Sequence, residues 1–138
     1  MQYFRDAEEL LVLFGIDPAK PGAEDFYVLA ELYGLMSQYP QYRVSVADLA
    51  KLRMKERKLS PRVFWSRMKR TIRPLIEADA STLRALGVPC GYTTEDHVRT
   101  CPELIGDVGS YTGAFLEGAD ADNAEAAADI ARECGHAK

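Results

Sequence analysis

The sequence predicts an all-α fold: a helical bundle containing a helix-turn-helix, followed by an acidic, partly helical C-terminal tail. Three observations carry this. Apolar residues recur at helical spacing through most of the first 88 residues, capping residues stand where those runs begin, and no apolar–polar alternation is long enough for a sheet. At 138 residues and 47% hydrophobic, the chain has the size to bury a core without disulfides or metals.

Each element follows from local chemistry. Asp6 and Glu9 form a capping-box pattern that opens a helix through Phe14, with Leu10, Leu11, Leu13 and Phe14 as its apolar side. Gly15 suits the left-handed residue that closes a helix, and Ile16 the accompanying apolar contact. IDPAKPG is a turn punctuated by Pro18, Pro21 and Gly22. Phe26, Leu29, Ala30, Leu32, Tyr33 and Met36 make a core helix from Ala23 to about Ser37, weakened by Gly34. Ser45 with Asp48 starts a helix over 46–57, with Val46, Leu49, Ala50 and Met54 inward and Lys51, Lys55 and Lys58 on an outer face. Ser60 is the N-cap and Pro61 the first residue of the next helix, 61–73. Its apolar stripe is Phe64, Met68, Ile72 and Leu75, and Pro74 kinks or ends it. Ser81 restarts a short helix, STLRALG, closed by Gly87. These elements form one domain, 1–89. Residues 90–138 read as the tail, with weak helical signals near Thr94–Cys101 and an alanine-rich helix capped by Asp122 and Glu125, whose one large apolar residue is Ile130.

The net charge of −4 is unevenly distributed. Residues 1–89 carry a net +3 and residues 90–138 a net −7, while Arg43–Arg73 holds eleven cations against two acids. A basic segment of this kind suits a polyanion. Two helices joined by a short turn, the second basic on its outer side, have the layout of a helix-turn-helix, in which one helix enters the major groove and the other crosses the backbone. Lys51, Lys55 and Lys58 then contact phosphates, Arg62, Ser66 and Lys69 face base edges, and Arg67, Arg70 and Arg73 point toward phosphates. Ser60 and the first amides of helix 61–73 offer a further phosphate site. The expected partner is duplex DNA, bound sequence-specifically by a transcriptional regulator. The alternative is a protein–protein module that docks an acidic partner on the same basic face, with Trp65 included and Tyr27, Tyr33, Tyr39 and Tyr42 supplying an interface.

Gly15-Ile16, then Gly22 after five intervening residues, the helices FYVLAELYGLM and VADLAK, and the basic helix PRVFWSRMKRTI carry a resemblance over about residues 10–88. Together they resemble the DNA-binding effector domain of the sporulation response regulator family of endospore-forming bacteria. The resemblance implies a helical bundle whose helix-turn-helix reads the major groove, often as tandem dimers, and hence a homodimer here. Lys20-Pro21-Gly22 stands where that family has Lys-Gly. The family's phosphorylatable receiver domain has no counterpart in this sequence, so regulation by aspartyl phosphorylation within the chain is not expected.

Other chemistry is thinly represented. Cys90, His97, Cys101, Cys134 and His136 lack a usual zinc spacing, DADNAEAAAD lacks the glycine and distal glutamate of a calcium loop, and no phosphate loop or catalytic carboxylate pair appears. The expectation is no cofactor, no metal and no enzyme; the remaining enzymatic option uses Cys90 or Cys101. Three cysteines without a CxxC, acids at the N-terminus and no long apolar run predict a reduced cytoplasmic protein away from membranes. The acidic tail is expected to solvate itself, to recruit a protein or to fold over the basic helix and compete with DNA.

Overall fold

Asp6 accepts a hydrogen bond from the Glu9 amide and so caps α1, Ala7–Leu13. The reciprocal bond of the box reaches one residue further back than expected, from the Arg5 amide to Glu9 Oε2 at 2.8 Å. Gly15, at φ 72°, closes the helix, and the Ile16 amide donates back to the Leu11 carbonyl. Leu10 and Leu11 are buried, but Leu13 is more than half exposed and belongs to the outer side. The computed structural model describes residues 4–88, 99–114 and 120–135. Among them are eight α-helices, a single 3₁₀ turn at Pro40–Tyr42, and no strand. The fold is all-α.

The second helix, α2, spans Pro21–Ser37 and is the axis of the bundle. It begins two residues earlier than its apolar pattern suggests, because Pro21 is pre-set for the first helical position. Phe26, Leu29 and Ala30 are fully buried on it. The next helix, α3, runs Val46–Arg57 from a complete capping box between Ser45 and Asp48. It ends without glycine: Lys58 takes the left-handed conformation at φ 56°, and the Leu59 amide donates to the Met54 carbonyl. After this tight turn α4 spans Pro61–Thr71, capped by Ser60 Oγ. Phe64, Met68, Ile72 and Leu75 are all fully buried, as their spacing predicts. The helix breaks at Ile72, and Pro74 sits in the first turn of α5, Arg73–Glu77. Asp79, not Ser81, caps α6, Ala80–Ala85.

The largest departure from expectation is α7, Cys101–Gly113. Thr100 and Glu103 form a capping box and Pro102 lies in its first turn. Leu104, Ile105 and Val108 are fully buried in the same core as Phe26, Phe64 and Leu75. The division at residue 89 therefore does not mark an edge of the core: α7 is the chief packing partner of α2. The reason lies in small residues. A Cβ at Gly113 would stand 2.5 Å from the Gly34 carbonyl oxygen, and one at Gly34 would stand 2.8 Å from that of Gly109. Gly34 is thus a point of backbone-to-backbone approach rather than a weakness in α2. Phe4 packs against Tyr111 of α7 in a tilted ring contact, centroids 4.8 Å apart, tying the N-terminal segment to the same helix. The last helix, α8, Asp120–Glu133, buries Ala127 and Ala131 against Met36 of α2, with Ile130 half-buried.

Gly34→Ala should destabilise the protein by about 1–3 kcal/mol, because its methyl meets backbone that cannot step aside. Gly106→Ala on α7, whose Cβ would meet only Val46 Cγ2 at 4.0 Å, should instead stabilise by roughly 0.5–1 kcal/mol through helix propensity. Urea unfolding of both variants checks the pair, and equal effects would contradict the close approach.

Candidate nucleic-acid interface

The basic segment divides into an inward and an outward population. Asp25, on the first turns of α2, is completely buried, and a buried carboxylate demands partners. Arg53 and Arg57, one turn apart on α3, supply two: their Nε atoms donate to Asp25 Oδ1 at 2.9 and 3.2 Å. Their Nη2 atoms donate to Glu24 Oε1 at 3.2 and 2.9 Å, so each guanidinium forks across both acids. Arg67 of α4 completes the cluster, donating from Nη2 to Asp25 Oδ2 at 2.7 Å. Gly22 makes this approach possible, since a Cβ there would lie 2.8 Å from the Arg67 carbonyl oxygen. Burial draws the Arg53 guanidinium down, but hydrogen bonds and attraction to Asp25 and Glu24 outweigh it and hold its pKa above the usual arginine value.

The other eight cations of the segment, Arg43, Lys51, Lys55, Lys58, Arg62, Lys69, Arg70 and Arg73, are exposed. Ser66 is exposed among them. Nine of the ten sequence-derived site residues therefore lie at the surface on α3, the turn, α4 and the start of α5. Arg67 is the exception: it is half-buried and engaged with Asp25. The start of α4 offers fewer amides than expected, because Pro61 has no N–H, the Val63 amide is given to Ser60 Oγ, and the Phe64 amide to the Ser60 carbonyl. Val63, half exposed on α4, is an apolar neighbour of these cations that charge patterning did not single out. Trp65 is half-buried, packs on the core, and meets Phe64 edge-on at 5.1 Å. The glutamate–aspartate pair at 24 and 25 was the available sign of the inward arginines, but its partners lie about 30 or more residues away.

Cys101 is buried at the start of α7, and desolvation pushes its pKa up to about 11 despite Lys69 nearby. Burial likewise raises Cys134, with Asp48 and Glu133 adding to the shift. Among the described residues no group of three or more His, Cys, Asp or Glu is placed to hold a metal, and no helix is long and apolar enough to cross a membrane. Cys90, His97 and His136 lie outside the described residues. Compared with protein-family models, curated proteins and solved structures, the chain matches none.

Asp25→Asn should destabilise the protein by roughly 3–5 kcal/mol, because the buried charge is lost and the guanidiniums are left with the more exposed carboxylates of Glu24 and Glu56. Chemical denaturation reads this directly, and a loss below about 1 kcal/mol would mean the cluster is effectively solvated. For Cys101 the raised folded-state pKa sets the sign of a pH effect. Its stabilising contribution is intact below the unfolded thiol's value of about 8.5 and is lost as pH rises toward about 11. Alkylation followed by peptide mapping should accordingly leave Cys101 unlabelled in the native protein at pH near 8 and label it on unfolding.

Proposed function

We propose that the protein binds duplex DNA through a helix-turn-helix formed by α3 and α4, as a sequence-specific transcriptional regulator. The observation that carries this reading is the sorting of the basic segment. Arg53, Arg57 and Arg67 are spent on Glu24 and Asp25, while eight cations of the segment remain exposed, six of them on the two helices and their turn. In this reading α4 lies in the major groove with Arg62, Ser66 and Lys69 toward base edges, and Val63 available to a thymine methyl. Lys51, Lys55 and Lys58 meet phosphates beside α3, and Arg70 and Arg73 meet the opposite rim. Arg67 leaves the contact set and acts instead by holding α4 to α2. The half-buried Trp65, packed on the core, favours groove binding over a flat docking surface.

Fluorescence anisotropy with a mixed-sequence duplex of about 30 base pairs, long enough for two half-sites, tests the reading across a salt series. Log K should fall linearly with log salt, at about 0.9 per phosphate neutralised, with stoichiometry reporting whether one copy or two load. Lys51→Ala/Lys55→Ala should weaken binding and flatten the slope by up to about 2, whereas Arg62→Ala/Lys69→Ala should weaken binding and relax sequence preference. Absence of binding at low salt would overturn the proposal and leave the basic face to an acidic protein partner.

A further inference from the structure

The outward side chains of α4 make a short inventory, and its chemistry is one-sided. Phe64, Met68 and Ile72 are buried, which leaves Arg62, Val63, Ser66, Lys69 and Arg70 exposed. Arg67, the remaining cation of the helix, is held inward on Asp25. The helix sequence PRVFWSRMKRT contains no Asn, Gln, Asp or Glu. Apart from the Ser66 hydroxyl, then, every polar group that α4 presents is a donor.

The bases differ in what they show to the major groove. Guanine offers two acceptors side by side, N7 and O6, which a cation meets directly. Adenine sets its N6 amine beside N7, so reading both takes an amide that gives and accepts. Cytosine offers only a donor and calls for a carboxylate or a hydroxyl. A donor face is therefore matched to guanine and opposed, donor against donor, to adenine and cytosine. Thymine adds a methyl that apolar carbon recognises. Val63, 49% exposed, is the one exposed large hydrophobic side chain of α4.

We propose that the preferred half-site is defined by two G·C pairs, their guanines read by Arg62 and Lys69, with a T·A pair beside the first whose methyl meets Val63. The inference rests on the major-groove reading of α4 proposed above and names the bases that reading selects. Arg62 and Lys69 stand two helical turns apart on one face, or about 10 Å along the axis. At about 3.4 Å per base pair, the two guanines lie roughly three base pairs apart. Arg62 is the stronger reader, since its fork bonds N7 and O6 together, whereas Lys69 is a single flexible charge. Val63 follows Arg62 directly, which puts the thymine next to the Arg62 guanine. Ser66 both gives and accepts, so it sets no base by itself.

The full chain is first titrated with the mixed-sequence duplex, then used to select from a duplex pool randomised over two helical turns. The expected consensus holds two G·C pairs about three apart. 7-Deazaguanine, which lacks the N7 acceptor, should weaken binding about tenfold at the Arg62 position and less at the Lys69 position. Uracil in place of the thymine should weaken binding several-fold for the wild type and leave Val63→Ala unaffected. Arg62→Gln should move the preference at its position from guanine to adenine, because the amide reads N6 and N7 together. A guanine preference that survives Arg62→Gln would overturn the assignment of that base to Arg62. Binding with a consensus of A·T pairs alone, or one indifferent to 7-deazaguanine, sinks this inference and leaves DNA binding standing. If no duplex binds at low salt, the inference and the DNA reading fall together.

Discussion

A carboxylate with no access to water must be neutralised where it stands, and in this protein that requirement falls on Asp25. Meeting it takes Arg53 and Arg57 from one helix and Arg67 from the next, so one buried charge locks α2, α3 and α4 together. The short turn between α3 and α4 limits how far the two helices can separate, and the salt-bridge cluster fixes how they are turned. Gly22 is part of the same device, since only a residue without a side chain lets α4 come close enough for Arg67 to reach. Buried ion pairs are often neutral in net stability, and their better-attested role is to specify one arrangement over its competitors.

The choice of cation follows the same division. Each inward cation in the cluster is an arginine, whose planar fork bonds two oxygens at once and tolerates partial desolvation. The outer face of α3 carries lysines, Lys51, Lys55 and Lys58, whose compact, well-hydrated charges suit water or phosphate. A net charge of +9 counted over residues 43–73 thus overstates the surface, because three of its eleven cations answer to Glu24 and Asp25 outside the segment.

Much of the fold was legible because it is written locally. Asp6, Ser45 and Ser60 cap helices within a few residues of themselves, and Phe64, Met68, Ile72 and Leu75 declare a buried stripe by spacing alone. What escaped is written between distant segments. The glycines of α7 lower its helical propensity and hide it in a stretch that reads as tail, yet two of them, Gly109 and Gly113, exist to admit Gly34. Thr100, Pro102 and Glu103 did mark the start of that helix, and only the glycine-rich sequence beyond them masked it. The exposed members of the basic face were readable from periodicity, whereas Arg67 was not, because periodicity places a side chain on a face without naming the acid that will claim it.

The meeting of Gly34 with Gly109 also has a consequence in time. Seventy-five residues separate the two positions, so the glycine-lined side of α2 has no permanent cover until α7 has left the ribosome. Helices 1 to 6 can form early from local signals, but the loop that must close before α2 finds its main partner is long, and its entropic cost falls late. A chain stalled before residue 113 would present the apolar faces of Phe26, Leu29 and Ala30 with their partners on α7 still missing. A helix synthesised after the others therefore decides when the earlier ones become permanent.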